Sequence, residues 1–421
     1  MFYDKTVLDN GMTVITEEMD TVRSVALGIW CAVGSRDEAP AQAGMSHFME
    51  HMMFKGTPTR SAADISEAFD RLGAELNAFT SKEYTCYYTR LLDQHTNDAV
   101  EMLSDMVVNS TFARDACLSE REVVLEEISR YEDAPDDQVH ELFASTLMPS
   151  HPLGLPVIGR KETVAAFDHD AAAAFHGAHY KTGNVVVAAA GALDHDRVVA
   201  MVQERLTLAE GGRSARQHAV PATEPSLKVQ TKETEQAHIC FGVTGLAARD
   251  PDRFALAVLD GVLGGGMSSR LFQEIREKRG LAYAVYSYHA QYQDTGQFAI
   301  YAGTRPDNAP EVIRLIRDEV DRLVSGGITS DELDRVRESI KGQTILGLES
   351  TRARMTRLGK AEVTQGELLS LDEIVERLDA VTTRDVQAVA ARVFSGNHAL
   401  AIIAPFGEDG VTHLVQEEAL T

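Results

Sequence analysis

Cysteine is scarce in this chain, and no two cysteines are closely spaced. The four cysteines, Cys31, Cys86, Cys117 and Cys240, are scattered over 421 residues without a Cys-x-x-Cys pair. A disulfide scaffold needs a dense set of cysteines, and a cysteine metal site needs closely spaced ones. The sequence therefore implies neither.

Long apolar runs are also missing. The run VVVAAAGAL at residues 185–193 falls far short of the roughly 20 residues that span a bilayer. The first 20 residues carry acids throughout and lack the apolar core of a signal peptide. We therefore expect no membrane association and a cytoplasmic bacterial location. An organelle-interior protein that has lost a presequence is the alternative.

Basic residues are outnumbered, because 64 acids face 40 lysines and arginines and give a formal charge of −24. A field of that sign repels nucleic acid and favours basic partners. Acidity that serves solubility alone would give the same balance, so the charge only hints at basic substrates. The composition itself, 44% hydrophobic and 25% charged, is that of a globular protein.

The chain repeats one plan in two halves. The apolar strand patterns at 24–38 and 237–251 resemble each other, and a helix, an asparagine and another apolar strand close each half at 170–191 and 384–405. Amphipathic helix patterns lie between these ends. This order predicts an α+β protein of two homologous α/β sandwich domains, each a mostly antiparallel sheet packed with helices.

The junction between the halves is rich in Gly, Pro, Ser and charge and has no periodicity. We predict an N-terminal domain at 1–212, a linker at 213–226 and a C-terminal domain at 227–421. Two similar domains joined in this way are expected to face each other and enclose a clam-like cleft.

Two histidines and a glutamate stand close together in the apolar stretch GMSHFMEHMMF, residues 44–54. On a helix, His47 and His51 lie one turn apart on the same face, which suits two imidazoles on one zinc ion at about 2.0–2.1 Å. Glu50 borders that face, where a base for a metal-activated water belongs. Two core histidines would be the structural alternative, but a carboxylate without a partner is costly in such apolar surroundings.

A third ligand is expected from the helix pattern LSEREVVLEEISRYE, residues 118–132. Glu120 and Glu127 share its less charged face, whereas Glu126 shares a charged face with Glu122 and Arg130. Glu127 is therefore the better ligand, and a His₂Glu set leaves the fourth zinc position open, as catalytic sites require. Glu120 is placed to orient a ligand histidine from behind.

The second half has no counterpart to this cluster. Positions 213 or 214 residues beyond the motif fall among the glycines Gly261, Gly264 and Gly265. A scaffold role shared by both halves would therefore not require the motif. The glycine stretch at 264–270 lacks the lysine of a phosphate-binding loop, so we reject nucleotide binding there.

The H-x-x-E-H order, read with several longer segments, carries a family resemblance. These segments are GMSHFMEHMMFKGT (44–57), ELNAFTSKEYTCYY (75–88), SEREVVLEEISRYEDAPDD (119–137), HPLGLPVIG (151–159) and SSRLFQEIREKRGLAYAVYS (268–287). They resemble the pitrilysin-type, inverted-zincin metallopeptidases over nearly the whole chain. Within that class they look closest to the mitochondrial processing peptidase and its bacterial relatives.

The resemblance implies a zinc endopeptidase with one Zn²⁺ per chain that acts on short or unfolded peptides. It makes His47, His51 and Glu127 the metal ligands, Glu50 the catalytic base and Glu120 a supporting residue. It also implies two groups of substrate-binding residues, the edge strand with Asn77, Ala78 and Phe79, and the pair Arg276 and Tyr283. Because motif and pair occur in one chain, we expect a self-sufficient homodimer.

Two other functions remain open from the sequence. A non-catalytic peptide-binding or assembly subunit of the same fold is one, although such subunits usually lose parts of H-x-x-E-H and this motif is intact. A maturation protease dedicated to one precursor peptide is the other. Manganese or cobalt in place of zinc is not excluded either.

Overall fold

The computed structural model describes residues 2–149, 151–213, 215–216, 226–365 and 367–411. Its strands are β1 (Asp4–Val7), β2 (Thr13–Glu18), β3 (Ser24–Cys31), β4 (Glu75–Thr80), β5 (Thr85–Leu92), β6 (Val185–Gly191), β7 (Ser226–Thr231), β8 (Ala237–Gly245), β9 (Ala282–Gln291), β10 (Gly296–Thr304) and β11 (Ala399–Ala404). Within this part of the chain, no helix combines the length and the apolar character needed to cross a bilayer.

The α-helices follow in the same chain order. They are α1 (Met45–Met52), α2 (Ala62–Arg71), α3 (Thr96–Asn109), α4 (Arg114–Glu132), α5 (Pro135–Leu147), α6 (Lys161–Val164), α7 (His169–His179), α8 (His195–Arg205), α9 (Arg253–Leu263), α10 (Ala309–Gly326), α11 (Ser330–Gly347), α12 (Thr351–Lys360), α13 (Leu371–Ala380) and α14 (Thr383–Phe394). Two short π-helical segments occur at Phe272–Glu277 and Ala361–Gln365.

The chain forms two compact units, each assembled from three segments. Unit 1 consists of Met1–Ser129, Leu155–Gln217 and Ile345–Ser370, and unit 2 of Arg130–Gly154, His218–Thr344 and Leu371–Thr421. Each unit therefore takes one short segment from the other half of the sequence.

Unit 1 is built on a six-stranded sheet with the order β1-β2-β6-β3-β5-β4. Only the β2–β6 pair is parallel, and the other pairs are antiparallel. The uninterrupted apolar run of β6 is buried throughout, as expected for an inner strand with both faces covered. Strand β4 lies at the outer edge, paired on one side with β5.

Both faces of this sheet are buried, but by helices from different parts of the chain. One face carries the main core, to which α1, α3, α4, α7 and α8 contribute. The other face packs around Trp30 and Tyr88 against Met355 and Leu358 of α12. Because α12 belongs to the second half of the sequence, unit 1 is completed by a helix from outside the first half.

Unit 2 repeats this arrangement. Its five strands have the order β7-β11-β8-β10-β9, and only the β7–β11 pair is parallel. Helices α9, α10 and α14 contribute to the core on one face. Helix α5, which comes from the first half of the sequence, packs with Phe143 and Leu147 on the other face.

The predicted fold class is confirmed: two α/β units, each with a mostly antiparallel mixed sheet packed with helices. The exchange of α5 and α12 was not predicted, and the compact units cross the predicted domain boundaries. Of the predicted linker at 213–226, residues 214 and 217–225 lie outside the described residues. Arg213 and Arg216, at its start, bond to unit 1, where Arg213 Nη2 donates to the Glu362 carbonyl at 3.3 Å and Arg216 pairs with Asp37. The domain boundaries and the cleft stay predictions.

Candidate metal centre

Helix α1 presents the H-x-x-E-H motif because its apolar residues all face the other way. Its methionines at 45, 49 and 52 and Phe48 are buried in the core of unit 1 at the i, i+3, i+4, i+7 spacing of a helical stripe. His47, Glu50 and His51 stand on the remaining, half-buried face. The helical pattern therefore anchors α1 by one face and leaves its chemical groups on the other.

The start of α1 is fixed by a glycine and a glutamate. Gly44 adopts a left-handed conformation with φ of 96°, and a Cβ there would lie 2.7 Å from Gly159 Cα. Glu38 accepts hydrogen bonds from the amides of Gly44 and Ser46 at 2.7 and 2.6 Å. Burial raises the pKa of Glu38 to about 7, although these two bonds oppose the shift. Two of the free amides at the helix start are thereby satisfied.

Three predicted ligands converge. The Nε2 atoms of His47 and His51 lie 3.8 and 3.6 Å from Oε2 of Glu127 on α4. All three ligand atoms lie within 4.8 Å of one another, and within the described residues they form the only such group of three or more His, Cys, Asp or Glu side chains. Glu126, the neighbour on α4, is exposed instead. Of these two neighbouring glutamates, only Glu127 therefore lies with the two histidines.

The donor set suits a zinc ion. Tetrahedral bonds of about 2.0–2.1 Å place neighbouring ligand atoms about 3.3–3.4 Å apart, slightly closer than the separations observed. Burial, with the neighbouring His51 adding to it, lowers the pKa of His47 to about 4, so this imidazole is neutral, as a ligand must be. His47 Nδ1 is buried without a hydrogen-bond partner among the described residues. Two imidazoles and one carboxylate fit the His₂Glu chemistry of catalytic zinc.

Glu120 lies behind His51. Its Oε2 lies 3.2 Å from His51 Nδ1, which leaves His51 Nε2 directed towards Glu127. Lys55 Nζ contacts the other oxygen at 2.6 Å, and Glu120 is only 6% exposed. A carboxylate in this position fixes the orientation and tautomer of a ligand imidazole. Lys55 was missed from the sequence, although it follows His51 by one helical turn.

Glu50 lies close both to the ligand group and to the end of β4. Thr80, the last residue of β4, is near enough for its hydroxyl and its backbone N–H to favour the charged form of the Glu50 carboxylate. Burial raises the pKa of Glu50, and Thr80 and His51 oppose the increase. Thr80 ends the predicted substrate strand, but its position beside Glu50 was not predicted, because the sequence gives no signal that the end of a strand meets this helix. The candidate base and the candidate substrate strand are therefore neighbours.

The predicted substrate residues Asn77, Ala78 and Phe79 lie in β4, the outer strand of the sheet. They pair with Tyr88, Tyr87 and Cys86 of β5. Asn77 Oδ1 accepts a hydrogen bond from the backbone N–H of Ala78 at 2.8 Å. An outer strand offers backbone groups to an added strand, as peptide recognition by strand addition requires.

Arg276 and Tyr283 are neighbours in unit 2. The Arg276 guanidinium lies 4.6 Å from the centre of the Tyr283 ring and 4.7 Å from that of Phe272, and Arg276 Nη1 donates to the Tyr283 carbonyl at 2.8 Å. Arg276 is in the π-helical segment Phe272–Glu277, and Tyr283 is 79% exposed on β9. Tyr283 therefore lies at the surface and not in the core of unit 2.

Comparison with known proteins identifies the class to which this fold and site belong. Residues 13–161 match the family described as Insulinase (Peptidase family M16), and residues 166–340 match the Peptidase M16 inactive domain. The chain belongs to the M16 peptidase family, which confirms the predicted pitrilysin-type resemblance.

Among its relatives are two bacterial proteins named as uncharacterized zinc proteases. One, from Streptomyces coelicolor, is 44% identical over 97% of this chain and 91% of its own length. The other, from Bacillus subtilis, is 44% identical over 94% of this chain and 97% of its own length. These names support a zinc-dependent peptidase.

Solved structures share the fold. A protease from Helicobacter pylori superposes with a TM-score of 0.90 at 24% identity, covering 96% of this chain and 99% of that one. A peptidase M16 inactive domain from Pseudomonas fluorescens superposes with a TM-score of 0.90 at 22% identity, covering 97% of this chain and 99% of that one.

Proposed function

We propose that the protein is a zinc-dependent endopeptidase that hydrolyses short or unfolded peptides. His47, His51 and Glu127 hold one zinc ion per chain, Glu50 is the general base, and Glu120 supports the site. The observation that carries this proposal is the convergence of two imidazoles and a carboxylate in unit 1, with Glu50 beside them and close to the end of an outer strand.

A zinc ion bound there would acidify a water molecule and polarise the scissile carbonyl. Glu50 takes the proton from the attacking water and passes it to the leaving amine. Burial raises the pKa of its carboxyl group, which strengthens it as a base compared with an ordinary surface glutamate. Glu120 keeps His51 in the required tautomer.

The substrate peptide is proposed to pair with the free edge of β4 at Asn77, Ala78 and Phe79. Main-chain hydrogen bonds then provide affinity for any extended peptide, whatever its sequence. For this to happen, the Asn77 side chain must release the Ala78 N–H that it now occupies. Arg276 and Tyr283 would donate hydrogen bonds to substrate carbonyls or to the developing oxyanion. The charge of −24 favours basic peptides.

A non-catalytic binding subunit is the main alternative. The match to the inactive domain covers only residues 166–340, and the H-x-x-E-H helix lies within the other match. All motif positions are present, and the three ligand atoms lie within 4.8 Å of one another. These observations favour the enzyme. A homodimer, a cytoplasmic location and dedication to one precursor peptide stay predictions.

The test is a Glu50→Gln variant assayed on a mixed pool of peptides whose cleavage sites are mapped by mass spectrometry. Removal of the general base should lower turnover by about 10²- to 10⁴-fold. Zinc content should remain that of the wild type, because Glu50 is not a ligand. Glu126→Gln is the matched control, since it removes an exposed carboxylate next to Glu127.

Three outcomes would contradict the proposal. The first is a wild-type protein loaded with zinc that cleaves no peptide. The second is a verified metal-free protein that still cleaves. The third is full turnover by Glu50→Gln, which would contradict the role of Glu50 as the general base but not the proposed zinc site.

A further inference from the structure

The residues before α1, Gly34–Glu38, are clamped to the turn that joins β4 and β5. The Ser35 and Arg36 amides donate to the carbonyls of Ser81 and Lys82 at 3.2 and 2.7 Å. The Arg36 guanidinium forms an ion pair with Glu83 at 2.6 Å, and both side chains are 2% exposed. A Cβ on Gly34 would lie 2.3 Å from the Ser81 carbonyl oxygen, so the two backbones are in close contact. We call Gly34–Glu38 the 34–38 segment.

The same segment holds the start of α1. Glu38, its last residue, accepts the hydrogen bonds from the Gly44 and Ser46 amides described above. One short stretch of chain therefore contacts both the helix that carries Glu50 and the hairpin that carries Thr80. The spacing between the candidate base and the candidate substrate strand depends on its placement.

Arg216, from the start of the predicted linker, completes this arrangement. Its Nε and Nη2 atoms donate to the two carboxylate oxygens of Asp37 at 2.7 and 2.8 Å. The guanidinium also donates to the backbone carbonyls of Glu83 and Ala32, at 2.5 and 3.3 Å. A single, largely buried side chain thus joins the 34–38 segment, the β4–β5 turn and the end of β3.

We infer that Arg216 is a positioning residue for the proposed reaction. It locks the 34–38 segment against the β4–β5 turn and so sets the distance from α1 to β4. The linker is thereby part of the active-site framework rather than only a connection between the halves. This inference rests on the proposed peptidase function, but the contacts that carry it do not depend on a metal ion.

The geometry requires arginine at this position. A planar guanidinium can form the two-pronged contact with Asp37 and still donate to two carbonyls, whereas a lysine ammonium cannot satisfy all of them at once. Removal of Arg216 leaves the buried Asp37 carboxylate without this partner, and burial of such a charge is unfavourable. The 34–38 segment is then expected to separate from the turn.

The experiment compares Arg216→Ala, Arg216→Lys and Gly34→Ala with the wild type. Gly34→Ala disrupts the contact between the 34–38 segment and the β4–β5 turn without altering Arg216. Hydrogen exchange measured by mass spectrometry should accelerate in peptides covering 40–52 and remain unchanged in peptides covering β6. The kcat per bound zinc should fall by about 10- to 100-fold, as expected for a base misplaced by about 1 Å. KM should change little, because β4 itself is intact.

Arg213→Ala is the matched control, because it removes an arginine three residues away whose Nη2 bonds to the Glu362 carbonyl. It should leave both the exchange of residues 40–52 and the kcat per zinc unchanged. Arg216→Lys should be intermediate, and it replaces Arg216→Ala in the comparison if the alanine variant does not fold.

Unchanged exchange at 40–52 in both the Arg216 and the Gly34 variants would overturn the inference. Faster exchange with unchanged kcat per zinc would also overturn the inference, because the bonds of Arg216 would then stabilise the fold without positioning the catalytic base. If the zinc-loaded wild type has no activity, the proposed function fails, while the exchange data still decide whether Arg216 holds α1.

Discussion

Units 1 and 2 share an architecture but differ in what they place on it. Each has a mixed sheet with a single parallel pair, and each sheet has one face covered by a helix from the other half of the sequence. Unit 1 has the metal-ligand group on α1. In unit 2 the positions predicted to correspond carry glycines, and a Cβ on Gly261 of α9 would lie 2.4 Å from Val336 of α11. The shared scaffold therefore does not require the H-x-x-E-H residues, and unit 2 uses the same region for close packing.

The two units also contain similar imidazole–carboxylate pairs. His51 pairs with Glu120 in unit 1, and His289 Nδ1 lies 2.9 Å from Asp260 in unit 2. Ser287 donates to the same Asp260 at 2.5 Å, which links β9 to α9. In the described residues only the histidine of the first pair, His51, belongs to a group of three possible ligands. A carboxylate behind a histidine therefore indicates a metal site only when further ligands converge.

The largest expected effect comes from removing one histidine in each unit. His51→Ala should abolish stoichiometric zinc binding, because two ligands are insufficient for a tight site. Peptide cleavage should fall to that of the metal-free protein. His289→Ala should retain zinc and activity. Zinc measured by atomic emission and cleavage of a quenched peptide check both variants, and equal zinc loss in the two would invalidate the contrast.

The second test compares the carboxylates behind these histidines. Glu120→Gln should weaken zinc binding or activity by about 10- to 100-fold, the usual effect of losing a partner of a ligand histidine. Asp260→Asn should affect thermal stability without changing zinc affinity. Competition with a chromogenic chelator gives the affinities. Wild-type affinity and activity in Glu120→Gln would show that His51 needs no such support.

The third test concerns the exchanged helix α12. A Cβ on Gly359 would lie 2.2 Å from the Trp30 ring, so Gly359→Ala should destabilise the protein by about 1–3 kcal/mol through overpacking. Gly342→Ala on α11 meets no atom within 4 Å and should stabilise by about 0.5–1 kcal/mol. Urea unfolding measures both changes. Equal effects would mean that α12 does not pack tightly on the sheet of unit 1.

The smallest effect concerns the pH dependence of an ion pair in unit 2. Two hydrogen bonds from Arg270, at 2.7 and 2.9 Å, lower the pKa of Glu332 to about 2. Because the folded pKa is depressed, the stabilisation is complete above the ordinary value of 4.5 and is lost as the pH falls towards 2. Glu332→Gln should therefore be less stable than the wild type by about 1–2 kcal/mol at neutral pH. The difference should shrink in urea titrations between about pH 4.5 and pH 3. A difference independent of pH would show that the carboxylate charge is not responsible.

Much of the candidate site was predictable because it depends on helical periodicity. The apolar stripe of α1 fixes which face His47, Glu50 and His51 occupy, and the pattern of α4 separates Glu127 from Glu126. Both predictions use only the angle between successive residues on a helix. Roles for Arg276, Tyr283 and the edge strand came from the family resemblance, and these remain predictions.

Other features depend on contacts between segments far apart in the chain. An amphipathic pattern shows that α12 has an apolar face, but it does not show which sheet that face covers. The position of Thr80 beside Glu50 and the bonds from Arg216 to Asp37 likewise depend on how distant segments pack together. They join residues 30 and 179 positions apart, and no local propensity connects residues at such separations.

The sequence by itself determined the mixed helix and strand plan, the two similar halves and the residues able to bind a metal, because these follow from local periodicity and side-chain chemistry. Only the tertiary structure decided that each sheet is completed by a helix from the other half, that Thr80 lies beside the candidate base, and that Arg216 pairs with Asp37 just before α1. The physical reason is that the final arrangement must bury both faces of each sheet and pair the buried charges. That requirement is met by the whole folded chain and is not encoded in any single segment.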